Sequence, residues 1–161
     1  MQEEMVGIKK LRLYLETTVF NYYFDENRDG HEDTVRLFEA IGAGEYEVFT
    51  SEYVMIELRK AKDPKKSDMV ALVEKYGITI LGTDDEIVRL AMLYIHNGIM
   101  AAKFGFDALH VAVASVHELD CVLSFNYEHI NKLKTKHMTE VINLNEGYKA
   151  VAICTPMEVL D

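Results

Sequence analysis

The chain has 161 residues and a formal net charge of −10, with 17 Lys and Arg against 27 Asp and Glu. That length is typical of one domain with its own hydrophobic core, and a composition of 49% apolar and 27% charged residues excludes a disordered or fibrous protein. So acidic a surface repels phosphate backbones and anionic lipids, which argues against a general nucleic-acid coat protein and against membrane binding. A nuclease remains compatible with this charge, because its carboxylates can bind a metal ion.

The apolar pattern predicts strands and helices that alternate along the chain. Leucines at every second position from Leu11 to Leu15 predict a first strand that ends near Glu16. Further strands are predicted at 46–50, 78–81, 121–124 and 141–144. Helices are predicted at 17–23, from 33 to 42 or 44, at 51–58, 63–76, 83–96 and 107–118, and from 155 near the end of the chain. Because the helical stretches are long enough to cross over, this order predicts a parallel sheet covered by helices on both faces.

Local signals mark where several of these helices begin. Ser51 is a typical N-cap residue, and Asp63-Pro64 places proline at a helix start. The spacing Thr83-x-x-Glu86 predicts a capping box, and Thr155-Pro156-Met157-Glu158 combines a capping box with proline. No internal repeat or linker interrupts the series. The sequence therefore predicts one α/β domain over residues 1–161.

The two cysteines and the apolar runs indicate where the protein resides. Cys121 and Cys154 lie in apolar stretches and form no disulfide framework, so we expect reduced thiols in a cytoplasmic protein. The first fifteen residues, MQEEMVGIKKLRLYL, lack the basic-then-apolar order of a signal peptide. The longest apolar stretch, IVRLAMLYI, is short and contains Arg89, so no transmembrane span is predicted.

Acidic residues dominate the positions where a ligand site is expected. In an open parallel sheet, ligands bind beyond the carboxyl ends of the strands. Glu16 follows the first predicted strand, Glu57 lies in the helix after the second, Asp107 begins a helix, and Asn126 follows the 121–124 strand. Converging carboxylates repel one another unless a cation joins them, and hard oxygen ligands suit Mg²⁺ or Mn²⁺. The motifs of dinucleotide-binding folds, P-loop nucleotidases and α/β-hydrolases are absent from the sequence.

Five segments together resemble the successive motifs of PIN-domain ribonucleases, a family that includes toxins of bacterial and archaeal toxin–antitoxin pairs. They are YLETTVFNYYF, SEYVMIEL, FDALHVAVA, CVLSFN and the terminal GYKAVAICTPMEVL, and they cover about residues 13–160. The resemblance implies a three-layer α/β/α sandwich around a parallel sheet. It also implies metal-dependent cleavage of RNA that leaves a 5′-phosphate and a 3′-hydroxyl.

The resemblance assigns roles to individual residues. Glu16 matches the first acidic residue, which is usually aspartate, while Glu57 and Asp107 match the second and third, and Asn126 matches a fourth position that is often aspartate. Glu16 and Asp107 would bind the metal directly. Glu57 would act through a bound water or help to activate the attacking water, and Asn126 would position phosphate or a metal-bound water. The hydroxyl positions that orient these carboxylates match Thr17 or Thr18, and Ser124. Two departures stand out: glutamate at 16 is longer by on the order of 1.5 Å, and asparagine at 126 removes a charge.

Two further functions remain open at this stage. One is a PIN-like module that binds a protein or RNA partner and cuts weakly or not at all, which the residues at 16 and 126 and the charge of −10 favour. The other, a metal phosphatase or phosphotransferase, needs a nucleophilic aspartate after the first strand, where this sequence has Glu16. For the nuclease, the resemblance implies an RNA substrate, an antitoxin partner and a homodimer.

Each candidate side chain also has a simpler interpretation. Asp107 can serve as a helix cap alone, and Asp120 precedes its strand and is expected to be structural. His110 and His117 are seven residues apart, which favours packing over zinc binding. Aromatic residues at 20, 22, 23 and 24 are expected to pack rather than stack RNA bases, and lysines at 60, 62, 65 and 66 to lie on a solvated face.

Overall fold

A parallel sheet forms the centre of the computed structural model, which describes residues 9–161. The prediction that the chain has no signal peptide rests partly on residues 1–8, which lie outside that range. Within the range, the sheet has five strands: β1 (Arg12–Leu15), β2 (Glu47–Ser51), β3 (Thr79–Leu81), β4 (Cys121–Leu123) and β5 (Ala152–Cys154). Their spatial order is β3-β2-β1-β4-β5, and every neighbouring pair is parallel.

Helices fill the connections and cover the sheet, which confirms the predicted α/β/α sandwich. The helices in the described range are α1 (Thr17–Phe24), α2 (His31–Gly42), α3 (Glu52–Leu58), α4 (Lys65–Lys75), α5 (Asp85–His96), α6 (Gly105–Val116), α7 (Leu133–Asn145) and α8 (Pro156–Val159). A short 3₁₀ turn, Ala102–Phe104, leads into α6. None of the helices in residues 9–161 has the length and apolar content that a membrane crossing requires.

The core is densest around the central strand and α6. Leu13, Tyr14 and Leu15 of β1 are fully buried, as expected for a strand flanked on both sides and covered on both faces. In α6, residues 110–115 are all buried, so this helix is enclosed rather than amphipathic. The two cysteines lie on the neighbouring strands β4 and β5 as free thiols, Cys121 buried and Cys154 half-buried.

The secondary structure differs from the predictions in three places. The predicted strand at 141–144 is the last part of α7, and β5 was not predicted at all. The cause is that α7 buries polar residues, Thr135, Thr139 and Asn143, and exposes Val141 and Leu144. A short apolar run of this kind cannot be told from a strand by its period. The third error is the capping box at 83–86, because α5 is capped by Asp84, whose Oδ1 accepts a 2.8 Å hydrogen bond from the Ile87 backbone N–H.

The strand order creates a crevice at one edge of the sheet. From β1 the chain moves outward to β2 and β3, and then returns to place β4 on the other side of β1. The connections after β1 and β4 therefore diverge at the carboxyl ends of these two strands, the position where open α/β sheets bind ligands. Glu16 follows β1 at this point, and Ser124 follows β4.

Candidate active site

Glu16 is held between the two strands that form the crevice. It is only 3% exposed, and its backbone N–H donates to the Leu123 carbonyl at the end of β4. Its Oε1 accepts hydrogen bonds of 2.6 Å from the hydroxyls of both Thr18 and Ser124. Two short hydroxyl–carboxylate bonds of this kind fix the orientation of the side chain. A buried carboxylate is thus presented in a set direction at the edge of the sheet.

Glu57 reaches the same place from α3. That helix begins at Ser51, whose Oγ accepts from the Val54 backbone N–H at 3.3 Å, so the end of β2 sets its position. The Oε1 atom of Glu57 accepts from the Thr17 hydroxyl at 2.8 Å and from Nε2 of His110 at 2.5 Å. Burial opposes the charged form of Glu57, but the hydrogen bond and positive charge of His110, with the Thr17 bond and the charge of Lys60, outweigh burial and lower its pKa.

A buried chain of polar groups stands behind Glu57. His110 is fully buried in α6, and its Nδ1 lies 2.6 Å from the Tyr14 hydroxyl, which lies 2.7 Å from Ser51 Oγ. Because a carboxylate can only accept, the hydrogen between His110 and Glu57 lies on Nε2. Burial raises the pKa of Tyr14 well above its ordinary value, so the phenol keeps its hydrogen. For His110, burial lowers the pKa, but the bond to Glu57 and the nearby negative charges outweigh burial and raise it.

Asp107 is the third residue of α6 and lies half-buried beside Glu57, on the wall of a cleft of about 510 Å³. Burial is the main reason that its pKa is raised to about 6, and the negative charges of Glu16 and Glu57 add to the effect. A carboxyl group that is buried beside other negative charges loses its proton less readily for both reasons. As an acidic residue in the first turn, Asp107 also favours the helix by itself.

The donor set fits a hard divalent cation. Ligand atoms of Glu16, Glu57 and His110 lie within 4.8 Å of one another, the one such group found in residues 9–161. Nε2 of His110 already donates to Glu57, so the atoms free to bind an ion in this group are carboxylate oxygens. Asp107 lies beside this group, and the negative charges of Glu16 and Glu57 contribute to raising its pKa. Oxygen ligands of this kind suit Mg²⁺ or Mn²⁺.

The structure gives Asn126 a different surrounding from the three acids. Its Oδ1 accepts from the His129 backbone N–H at 2.9 Å, which closes a turn after β4. Its backbone N–H donates to Ser124 Oγ at 3.0 Å, and that hydroxyl in turn donates to Glu16. Among the described residues, Asn126 therefore touches the carboxylates only through Ser124.

Several of the simpler interpretations agree with the structure. Asp120 accepts from the Arg12 backbone N–H and from Lys149 at 2.8 Å each, at the amino-terminal edge away from the crevice. Of the aromatic cluster, Phe20 is buried, Tyr22 stacks on Phe125 and Tyr23 packs on Phe38. These side chains are packing residues.

His110 is the residue that sequence reasoning missed. It was expected to be a packing residue, and it is buried, but it also binds Glu57 directly. A usable signal was its position three residues after Asp107, because residues three apart lie on neighbouring parts of one helix face. Both threonines donate to a carboxylate: the Thr17 hydroxyl to Glu57 and the Thr18 hydroxyl to Glu16. The sequence alone had left a choice between the two threonines.

Comparisons with known proteins identify the family of this chain and structures with a similar fold. Residues 13–135 match the model of the PIN domain family. The structure of Mycobacterium tuberculosis VapC20, a Sarcin-Ricin loop cleaving toxin, has a TM-score of 0.53 and 14% identity over 86% of this chain and 98% of that chain. VapBC2 from Rickettsia felis, bound to a DNA fragment from their promoter, gives a TM-score of 0.53 and 12% identity over 89% of this chain and 97% of that chain. No curated protein sequence matches the chain.

Proposed function

The chain belongs to the PIN domain family, and from that premise we propose that it is a metal-dependent endoribonuclease that hydrolyses RNA phosphodiester bonds. The observation that carries the proposal is that Glu16 and Glu57 meet at the crevice between β1 and β4, with Asp107 beside Glu57 on the wall of the cleft. Three carboxylates close together repel one another unless a cation compensates their charge. A divalent cation held by such carboxylates is the kind of centre that hydrolyses phosphodiester bonds.

Glu16 and Asp107 are the residues we propose as direct ligands of Mg²⁺ or Mn²⁺, with Glu57 acting through a bound water. When bound, the ion would supply positive charge next to the phosphate and acidify a water. The chain's own contribution is orientation. Thr18 and Ser124 both hold Oε1 of Glu16, while Thr17 and His110 both hold Oε1 of Glu57. In each glutamate, Oε2 accepts none of these four hydrogen bonds and is the oxygen left to bind an ion or a water.

Asn126 has a supporting place in this proposal. Its backbone N–H donates to Ser124 Oγ, which donates to Glu16, so the main chain at Asn126 positions the hydroxyl that orients the first carboxylate. Attack in line with the leaving oxygen would leave a 5′-phosphate and a 3′-hydroxyl, as the family resemblance implies.

We also propose the setting in which the enzyme works. It acts in the cytoplasm as one domain over residues 1–161, as a homodimer, and as the toxin of a toxin–antitoxin pair. The free thiols of Cys121 and Cys154 agree with a reducing compartment. The similarity in fold to the Rickettsia felis complex supports the choice of an antitoxin as the partner.

Cleavage of a labelled structured RNA tests the proposed activity. Wild-type protein and Asp107→Asn are compared in Mn²⁺ and in EDTA, with Asp68→Asn on the exposed side of α4 as a matched loss of one carboxylate. We expect cutting by the wild type and Asp68→Asn in Mn²⁺ only, and none by Asp107→Asn. Full activity in Asp107→Asn would contradict the assignment.

The same proteins separate the nuclease from a module that binds without cutting. Mn²⁺ should raise the melting temperature of the wild type and leave that of Asp107→Asn unchanged, because an ion that binds only the folded state stabilises it. A wild-type protein that neither cuts RNA nor responds to Mn²⁺ would contradict the proposed nuclease and favour the module that binds without cutting.

A further inference from the structure

The outer surface of α7 is apolar, although this helix buries polar side chains. Its three buried residues are Thr135, Thr139 and Asn143. On the opposite side, Leu133 is 82% exposed, Val141 49% and Leu144 59%. Single exposed apolar residues are common in soluble proteins. Three of them on the outside of one helix whose inside is polar are unusual, because a surface helix normally has the reverse arrangement.

These three residues lie along one line on α7. They are separated by 8 and by 3 positions, and an α-helix of 3.6 residues per turn brings residues at those spacings to one face. His137, which is also exposed, lies between Leu133 and Val141 on the same line. The line therefore runs almost the whole length of α7, from Leu133 to Leu144. An exposed apolar strip of this kind marks an interaction surface.

The line is self-complementary when it is reversed. Leu133 is the first residue of α7, and Leu144 is the last but one. If a second α7 lies antiparallel to the first, Leu133 of each copy meets Leu144 of the other. His137 of each copy then lies next to Val141 of the other. A surface that pairs with itself in this way fits a two-fold axis, and the axis passes between positions 138 and 139.

Two charged residues beside the line favour the same orientation. Lys136 and Glu140 are four residues apart and lie on one side of the line. Within residues 9–161, neither of them forms an ion pair. Antiparallel pairing brings Glu140 of each copy next to Lys136 of the other, so two opposite-charge contacts form. A parallel pair would instead bring Lys136 towards Lys134 of the second copy, and like charges repel.

We propose that a second copy of this chain docks on the outer surface of α7, with the two helices antiparallel about a two-fold axis. The inference goes beyond the proposed function, which names no surface for the homodimer, and it does not depend on nuclease activity. One helix of 13 residues from each copy makes a small interface, so we expect reversible association that depends on protein concentration.

A nucleic acid fits this surface less well than a second copy. Its phosphates would meet the carboxylate of Glu140, and the apolar line from Leu133 to Leu144 would have nothing to pack against. A second copy supplies both an apolar partner for the line and an opposite charge for Glu140.

Reversal of the two charges tests the inference. Sedimentation of the full-length protein at low salt, over a range of protein concentrations, measures self-association of the wild type, Glu140→Lys, Lys136→Glu and an equimolar mixture of these two variants. Low salt is used because exposed charges are screened at high salt. Leu144→Ser tests the apolar line. The matched control is Glu74→Lys, the same change at an exposed position of α4.

Each charge reversal alone should weaken the α7 pairing roughly tenfold, because like charges then meet across the axis twice. The mixture should associate as tightly as the wild type, since each changed side chain meets the opposite charge on the other variant. A change within one chain cannot produce this recovery, so the mixture separates pairing between copies from an effect on the helix itself. Leu144→Ser should also weaken association several-fold, and Glu74→Lys should match the wild type.

Two results overturn the inference. One is that the wild type, Glu140→Lys and Leu144→Ser sediment alike at every concentration, whatever oligomer they form, which would leave the α7 surface to a different partner. The other is a mixture that associates no better than its two components. Cleavage of RNA by the wild type, and its loss in Asp107→Asn, decide the proposed function separately.

Discussion

His110 Nε2 donates to Glu57 Oε1 over 2.5 Å, and so a fully buried imidazole and a half-buried carboxylate form one unit. The residues are 53 positions apart and come from α6 and α3. Because the other ring nitrogen bonds to Tyr14, the imidazole is held from both sides. The orientation of Glu57 therefore depends on a tyrosine of the central strand that is too deep to touch a substrate.

Replacing Tyr14 with phenylalanine should lower the cleavage rate without affecting substrate binding. The ring stays in the core, but His110 loses the partner that fixes it, and Glu57 becomes less well oriented. We expect kcat to fall about tenfold with KM unchanged, a change in the range caused by small misplacements of catalytic groups. Steady-state kinetics on a labelled RNA measure both values.

Tyr94→Phe is the matched control for this change. Tyr94 is equally buried, and its hydroxyl bonds to Ser115 and Asn143 instead of the site. Each substitution leaves buried polar partners unsatisfied and should cost about 1–3 kcal/mol in the free energy of unfolding. Equal losses of kcat in both variants would show that Tyr14 acts through stability alone.

Asp107→Asn should stabilise the protein in EDTA. The pKa of Asp107 is raised from 3.8 to about 6, so between those values the folded state keeps a proton that the unfolded chain has released. Its contribution to the free energy of unfolding therefore falls as pH rises through that window. At about pH 8 we expect the variant to be more stable by on the order of 1 kcal/mol, after allowing for solvent screening, with a smaller difference at about pH 4. Urea denaturation at both pH values measures this, and a variant less stable than the wild type at about pH 8 is the contrary result.

Glu16→Asp should reduce activity, even though the family resemblance makes aspartate the usual residue there. The hydroxyls of Thr18 and Ser124 meet Oε1 of the longer side chain at 2.6 Å. Shortening that side chain withdraws the carboxylate by about 1.5 Å, beyond hydrogen-bond distance from both hydroxyls. We expect kcat/KM to fall roughly 10- to 100-fold. Glu140→Asp, an exposed position on α7, is the control, and unchanged activity in Glu16→Asp would show that the two hydroxyls do not position the carboxylate.

The sequence could predict most of the sheet and two of the three carboxylates because their signals are local, whereas Asp107 follows no strand and was matched through the family resemblance. Glu16 comes directly after an alternating strand, and Glu57 follows a strand and an N-cap serine. Position relative to a strand end is enough to bring such residues to one edge. The acids could therefore be found before anything was known of their contacts.

Other features depend on contacts that leave no local pattern. The partners of His110 lie 53 and 96 positions away, so its polar role could not be told from that of a core histidine. In α7 the buried side is polar because Asn143 bonds to Tyr94 and Ser115, which reversed the apolar pattern on which the strand at 141–144 was predicted. Only the packed fold distinguishes these cases.

The bond between Glu16 and Ser124 joins positions 108 residues apart and has a consequence during protein synthesis. Glu16 leaves the ribosome early, while Asp107, His110 and Ser124 follow in the last third of the chain. A nascent chain that ends before β4 lacks both the strand that closes the crevice and the hydroxyl that orients the first carboxylate. Since non-local contacts of this kind form only when both partners exist, the site cannot assemble until nearly the whole chain has been made. The order of the strands thus delays the appearance of the paired carboxylates Glu16 and Glu57 in their final arrangement until β4 has been made.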